Sequence, residues 1–294
     1  MDIYDLNEFL KLSAILHYQL SAEEVGRRNI LNVMLGQKPF PDEHRKILGQ
    51  VLDYLDKAYG FRRRRLGPVA VLHPIRASVL MSKIQGEPCF LDLLTILLHD
   101  KLEDLTPKAM GQKQWEESEA QFQEIMEALH PALREQLKQR LDLLTREEEM
   151  GETYNQYVGR LFDMPLNQKE LVRVKLADRL DNTLDMRIDI QDPLEGVNFF
   201  EALFQNLFVN SYGGYKPRFE HPSRAPFNGV KRLYQLFKNT ILATLIRRKH
   251  LAEDDETSER LFRALVYSSM LEAQRIVLHI FGYHFTNLEE QRAV

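Results

Sequence analysis

The chain has 294 residues, of which 44% are hydrophobic and 28% charged, a formal net charge of -4 and one cysteine, Cys89. Such a chain can bury a substantial core as one large or two small domains. The charge argues against a nucleic-acid partner, the lone cysteine excludes an intramolecular disulfide and a cysteine-rich zinc site, and no apolar run reaches the roughly 18 residues of a membrane span.

Helical periodicity dominates the chain. Apolar residues at helical spacing predict a first helix over 5–20. Ser21 and Glu24 form a capping-box pattern that opens a second helix, and a third begins at Pro41 and ends near Gly60. Similar patterns predict further helices over 68–82, 89–104, 114–129, 131–145, 151–163, 167–187, 230–250 and 257–283. Because no run of alternating strand residues and no repeat is found, the sequence predicts an all-α fold.

The N-terminal residues are acidic and lack the basic and then apolar order of a signal peptide. The single cysteine also fits a reducing compartment. The sequence therefore predicts a cytoplasmic protein with no membrane partner.

The longest interruption of the helical pattern is the segment 213–229, with three prolines and three glycines. Connections between helices are usually far shorter, so a segment of this length is often a functional loop. Its basic side chains would reach a phosphate if the segment lay over a site, and an exposed connector with solvated charges explains them equally well. These side chains are Lys216, Arg218, His221 and Arg224.

The run from His99 to Asp104, HDKLED, follows an apolar stretch that predicts a buried helix. Continuing that helix would place His99 beside Glu103 and Asp100 beside Asp104, since residues four apart share a helix face. Carboxylates and a histidine beside an apolar interior are costly unless a partner compensates them. The run therefore predicts a bound divalent cation.

A second polar group lies on the predicted helix over 167–187. Lys175, Asp178, Arg179 and Asn182 recur at helical spacing and predict one polar stripe. Asp178 can bind a metal, and either cation can hold a substrate phosphate or pair with the acids of the HD run. Taken alone, the stripe is more typical of surface salt bridges.

His73 precedes Pro74 at the start of a predicted helix, where a side chain projects clear of helix neighbours. Together with His99, Asp100 and Asp178 it offers two imidazoles and two carboxylates for one divalent metal ion. Nitrogen and oxygen ligands without sulfur suit Mn, Fe, Zn or Mg, and two imidazoles argue against Mg.

Several motifs follow one another in a fixed order: RLGP before LHP, then LLHDKLED, then LTREEEMGETYNQYVGRL and VKLADRLDN. They resemble the HD-domain metal-dependent phosphohydrolases, in particular the hydrolase domain of the RelA/SpoT family and its small stand-alone relatives. The resemblance implies an HD-domain helical bundle with additional N- and C-terminal helices. It divides the chain into an N-terminal extension over 1–60, a phosphohydrolase core over 61–190 and a C-terminal helical region over 191–294.

The resemblance also implies three groups of site residues. The metal ligands, for an ion that is typically Mn²⁺, are His73, His99, Asp100 and Asp178. The acids that orient and activate the attacking water are Glu103 and Asp104. The substrate-binding residues are Arg65 near the nucleotide base and Lys175, Arg179 and Asn182 along the phosphate and ribose.

These features predict a metal-dependent phosphohydrolase that cleaves a phosphoester of a small-molecule nucleotide. If the resemblance extends to the substrate, pyrophosphate leaves from the 3′ position of (p)ppGpp. Two alternatives stay open on the sequence. One is another nucleotide phosphatase or a phosphodiesterase, and the other is a nucleotide-sensing protein that keeps the HD fold without turnover.

Overall fold

The computed structural model describes residues 5–20, 23–36, 38–60, 62, 70–147, 151–163, 168–188 and 229–284. The described residues form helices and no strands, which confirms the prediction of an all-α fold. The helices are α1 (Leu6–Leu20), α2 (Glu23–Leu35), α3 (Asp42–Tyr59), α4 (Leu72–Ile84), α5 (Phe90–Leu98), α6 (Lys101–Asp104), α7 (Pro107–Met110), α8 (Gln112–Ala128), α9 (Pro131–Leu144), α10 (Tyr154–Asp163), α11 (Gln168–Ile188), α12 (Gly229–Arg248) and α13 (Glu256–His284).

The helix predicted over 89–104 is the one clear error in the helix assignment. The structure ends α5 at Leu98 and starts the short α6 at Lys101. At the break, Nδ1 of His99 donates to the carbonyl oxygen of Ile96, 2.7 Å away, and so competes with the backbone hydrogen bonds of the helix. The backbone of Asp100 leaves helical geometry, with φ -93° and ψ 3°. The HD pair therefore lies on a turn between two helices.

The helices α4 and α11 form the centre of the molecule. Every residue of α4 except Lys83 is buried, and α4 packs against α11, α5, α1 and α2. The next layer is α13, which packs along α11, and α12, which lies on α10 and α13. Polar side chains on the facing sides of α4 and α11 are consequently enclosed by protein.

The terminal helices pack directly on this centre. In the N-terminal part, α1 and α2 contact α4, and α3 contacts α5 and α8. The division of the chain at residues 60 and 190 stays a prediction, and so does the role of the segment 213–229. Residues 213–228 of that segment lie outside the described residues, and so does Ser21 of the predicted capping box. No helix in the described ranges is long and apolar enough to cross a membrane.

Candidate metal centre

Three predicted ligands from three separate helices or turns meet in the centre of the molecule. His73 lies at the start of α4, His99 follows α5, and Asp178 lies in the middle of α11. One ligand atom from each lies within 4.8 Å of the other two, and all three residues are buried. The Nε2 atom of His73 is 3.3 Å from Oδ1 of Asp178, and that of His99 is 3.7 Å from the same oxygen.

Asp100, the fourth predicted ligand, completes this cluster, which we call the metal group. Its Oδ2 is 3.3 Å from Nε2 of His73, and its Oδ1 is 3.1 Å from Nε2 of His99. The turn at the end of α5 makes this possible, since it directs the adjacent side chains of His99 and Asp100 to one point. The metal group is thus His73, His99, Asp100 and Asp178.

The other ring nitrogen of each imidazole is fixed by a hydrogen bond. Nδ1 of His99 donates to the carbonyl oxygen of Ile96, and Nδ1 of His73 donates to Oδ2 of Asp181, 2.6 Å away. A proton on Nδ1 leaves the lone pair of the neutral ring on Nε2. Both Nε2 lone pairs therefore face the carboxylates of the metal group. This is the arrangement of metal-binding histidines, whose second nitrogen donates to a carboxylate or a backbone carbonyl.

A buried ion-pair network holds Asp181 in place. Arg76, with no exposed surface, donates from Nε and Nη2 to the carboxylate of Asp181 at 2.8 and 3.0 Å. The same guanidinium is 2.8 Å from Asp185 and lies over the ring of Phe9. Although burial opposes ionisation, Arg76 and His73 hold the pKa of Asp181 below its usual range. The acceptor for His73 is therefore a rigid, ionised carboxylate.

Sequence reasoning gave no role to Arg76 or Asp181. A signal for them exists, because Arg76 follows His73 by three residues and Asp181 follows Asp178 by three. This spacing places each on the same helix face as a predicted ligand. The pairing of Arg76 with Asp181 depends on the contact between α4 and α11, which no local pattern predicts.

The electrostatics of the metal group favour ionised carboxylates. Burial alone would raise the pKa of Asp178, but Lys175 and the two imidazoles outweigh it and hold that pKa well below its usual range. Burial likewise opposes ionisation of Asp100, whose pKa is lowered by His99 and His73. Burial also opposes charge on His99, yet Asp100 and Asp178 raise its pKa well above the usual value. In the absence of a metal, a proton is therefore held where the cation would bind.

The donor set fits one divalent metal ion. Two imidazole nitrogens and two carboxylates supply nitrogen and oxygen ligands, which suit Mn, Fe and Zn. Separations of 3.1 to 3.7 Å between ligand atoms fit neighbouring positions around an ion with bonds of about 2.1 Å. The structure therefore contains a buried group that could hold a metal ion.

No protein-family model, no curated protein and no solved structure matches this chain.

The two acids predicted to act on water lie on α6, beside the metal group, and both are exposed. Oε1 of Glu103 accepts a hydrogen bond from the backbone N–H of Arg146 at 2.7 Å, and Oδ2 of Asp104 accepts one from the hydroxyl of Tyr59 at 3.1 Å. Although Glu103 is exposed, desolvation by the surrounding protein raises the pKa of its carboxyl group. The hydrogen bond from the backbone of Arg146 opposes this rise, and the negative charge of Asp100 adds to it.

Two of the predicted substrate-binding residues contact Asp178, the predicted metal ligand on their own helix. Nζ of Lys175 is 2.8 Å from Oδ2 of Asp178 and lies 5.2 Å from the centre of the Tyr157 ring. Nδ2 of Asn182 donates to Oδ1 of Asp178 at 2.5 Å. Both therefore orient the carboxylate of Asp178, and contact with substrate stays a prediction.

Arg179 lies in a different environment from the one predicted. Its guanidinium donates to the side chain of Asn239 at 2.9 Å and to the side chain and carbonyl of Gln235 at 2.9 and 3.1 Å. These bonds fix α12 against α11, and they would have to break before Arg179 could reach a substrate. Its substrate role stays a prediction. Arg65, predicted near the nucleotide base, lies outside the described residues.

Proposed function

We propose that this chain is a metal-dependent phosphohydrolase of the HD type that cleaves a phosphoester of a nucleotide. The observation that carries the proposal is the metal group itself. Two imidazoles present Nε2 to two carboxylates at one buried point, and a separate hydrogen bond fixes each ring. Such a convergence of acceptors in a protein interior is costly without a cation.

His73, His99, Asp100 and Asp178 would hold the metal ion. A divalent ion there supplies Lewis-acid activation of water and polarises a phosphate oxygen. The residues of the chain supply the remaining steps.

Glu103 is the residue best suited to accept the proton from water. Its Oε1 is occupied by the N–H of Arg146, whereas Oε2 forms no hydrogen bond with the described residues. Its raised pKa brings the carboxylate closer to the value that suits a general base near neutral pH. Asp104, tied to Tyr59 on one oxygen, would orient the same water.

Lys175 would stabilise the negative charge that develops on the phosphate oxygens. It is largely buried and 2.8 Å from Asp178. Burial opposes its charge, but Asp178 and the two neighbouring tyrosines raise its pKa well above the usual value. The ammonium therefore stays charged and fixed in position, which is what electrostatic stabilisation of a transition state requires.

The order of the motifs supports a nucleotide as the substrate, with (p)ppGpp as the first compound to test. In that reaction water adds to phosphorus, the bond to the ribose 3′ oxygen breaks, that oxygen takes a proton, and pyrophosphate leaves. A phosphatase or phosphodiesterase acting on another nucleotide would use the same residues.

The test is hydrolysis by the purified protein in Mn²⁺ of a panel containing ppGpp, pppGpp, 5′-nucleotides, deoxynucleoside triphosphates and cyclic nucleotides. We expect pyrophosphate from ppGpp with the wild type and none with Asp100→Ala. The double variant Glu103→Gln, Asp104→Asn should lose turnover and keep the metal. Lack of turnover across the panel, with metal measured in the protein, would contradict the proposal and favour a nucleotide sensor.

A further inference from the structure

Lys238 lies on α12 among basic residues whose pattern in the sequence is more typical of a solvated helix face than of a face that meets an anionic partner. Its Nζ lies 5.3 Å from the centre of the Tyr154 ring and 4.9 Å from that of Tyr234, so the ammonium contacts two aromatic faces. It is partly buried and forms no ion pair with any described residue. A partly buried lysine without a carboxylate beside it is costly, so its place in the fold needs a reason.

The surroundings of Lys238 are positively charged. Burial and then three cations, Arg179, Lys175 and Arg146, lower its pKa to about 8, and Asp178 opposes them in part. Lys175 is paired with Asp178, whereas Arg179 donates to uncharged groups of α12. Cations of α11 and α12 therefore lie close to one another, and an anion between them would relieve their repulsion.

The second feature of this location is Tyr154, whose ring Lys238 contacts. The residue is 8% exposed, and its hydroxyl is buried with no hydrogen-bond partner among the described residues. Arg179, Lys175 and Asp178 all lie within electrostatic range of it. Because a buried hydroxyl without a partner is destabilising, this one is expected to donate to a ligand.

The contacts connect this location to the metal group. The rings of Tyr154 and Tyr157 lie 6.1 Å apart, and Lys175 lies over Tyr157 while it pairs with Asp178. A path of contacts thus runs from Lys238 through Tyr154, Tyr157 and Lys175 to a predicted metal ligand.

We propose that Lys238 and the hydroxyl of Tyr154 bind a second phosphate group of the substrate, next to the phosphate that the metal group would engage. This inference rests on the proposed function and narrows its substrate class to nucleotides with at least two phosphates. The ammonium supplies charge, the hydroxyl supplies a directed hydrogen bond, and α12 closes that side of the site. A cyclic mononucleotide, with its single phosphate, would leave this subsite empty.

The test is a titration of inorganic phosphate into the full-length protein, followed by calorimetry, with and without one equivalent of Mn²⁺. Lys238→Met keeps most of the apolar stem, and we expect it to weaken phosphate binding about tenfold. Tyr154→Phe keeps the ring, and we expect a loss of about fivefold. The matched control is Lys113→Met on α8, whose side chain is 91% exposed, and it should bind phosphate as the wild type does.

The two proposals fail in different ways. If phosphate binding weakens in Lys238→Met but no nucleotide is hydrolysed, the subsite stands and the proposed function falls. If nucleotides are hydrolysed and Lys238→Met binds phosphate as tightly as Lys113→Met, the subsite is overturned. With an active protein, Lys238→Met should raise KM for a substrate with two phosphates by a larger factor than it lowers kcat.

Discussion

Two clusters of charged side chains each include residues in or next to α5 and on α11, and they differ in how their charges are arranged. Near the start of both helices, carboxylates alternate with guanidinium groups. Near the end of α5 and the middle of α11, the metal group brings carboxylates and imidazole lone pairs to one point. Comparing the two shows which kind of buried charge indicates a ligand.

The first cluster, which we call the arginine cluster, consists of Asp92, Arg140, Arg173 and Asp255. Asp92 has no exposed surface and accepts from Arg140 at 2.8 Å and from Arg173 at 3.3 Å. Arg173 also donates to both oxygens of Asp255 at 2.8 and 2.6 Å. Although burial would raise the pKa of Asp255, Arg173 lowers it to about 2. Two carboxylates and two guanidinium groups thus neutralise each other.

With neutral imidazoles, the form that binds a metal, the metal group has no such internal balance. Its four members all present acceptor atoms when the imidazoles are neutral, and Lys175 pairs with only one of the carboxylates. Burial is common to both clusters and therefore does not identify a site. The distinguishing feature is that acceptors converge while their other atoms are held by hydrogen bonds.

The largest expected effect tests this distinction on Asp178, a predicted metal ligand. Asp178→Asn keeps the shape of the side chain but removes its charge, and we expect activity to fall by at least about 1,000-fold, since a metal supplies several kcal/mol of transition-state stabilisation. Added Mn²⁺ should raise the melting temperature of the wild type and leave that of the variant unchanged. Thermal unfolding with and without metal, together with metal analysis, measures both. Stoichiometric metal in the variant would contradict the assignment.

The second prediction concerns the arginine cluster. Arg140→Met leaves part of the charge of Asp92 uncompensated in the interior, and we expect the free energy of unfolding to fall by about 3 kcal/mol. The increase in melting temperature on adding Mn²⁺ should persist, because no member of the metal group is altered. Urea unfolding of the variant and the wild type, with and without Mn²⁺, measures both effects. Loss of the metal effect would show that the two clusters are coupled.

Much of this contrast could be predicted from the sequence. The apolar periodicity predicts nearly all helices, because burial of one face is a local property of each segment. The motif order predicts His73, His99 and Asp178, which the structure brings together. The break between α5 and α6 was missed, since it depends on a hydrogen bond from the ring of His99 to the backbone that periodicity does not record.

Other features depend on contacts between distant segments. Asp181 accepts a hydrogen bond from His73, which lies 108 residues earlier in the sequence. Lys238 contacts Tyr154 although the segment 213–229 lies between them in the sequence. A lysine on a helix with many basic residues looks like a solvated surface charge in the sequence. Only the packing of α12 on α10 shows that it is half-buried among other cations.

A smaller effect is expected for the residue that orients His73. Asp181→Asn can present its amide N–H₂ to Nδ1 of His73, which moves the ring proton to Nε2 and blocks metal binding there. We expect metal affinity to fall by about 10- to 100-fold, the range for residues that support metal ligands. Calorimetric titration of Mn²⁺ measures it. Asp185→Asn is the control, since Asp185 pairs with Arg76, and its metal affinity should stay within about threefold of the wild type.

The smallest expected effect is a pH-dependent gain in stability. The pKa of Lys238 falls from an ordinary 10.5 to about 8 in the folded protein. The unfolded chain therefore binds more protons between about pH 8 and 10.5, and the contribution of this lysine to stability rises with pH across that window. Below about pH 8 the full cost of the buried charge is present.

Lys238→Met removes that cost while it keeps the apolar stem. The variant should melt about 2 °C above the wild type at pH 7, and this difference should shrink as the pH rises through 8 towards 10.5. Melting curves of both proteins at pH 7, 8, 9 and 10, without metal or phosphate, measure it, and Lys113→Met should show no such trend. A variant less stable than the wild type at pH 7 would mean that Lys238 is held by attraction within the fold. If the variant is more stable and also binds phosphate more weakly, the positive charge of Lys238 serves a ligand at a cost in stability, as we propose for the converging acceptors of the metal group.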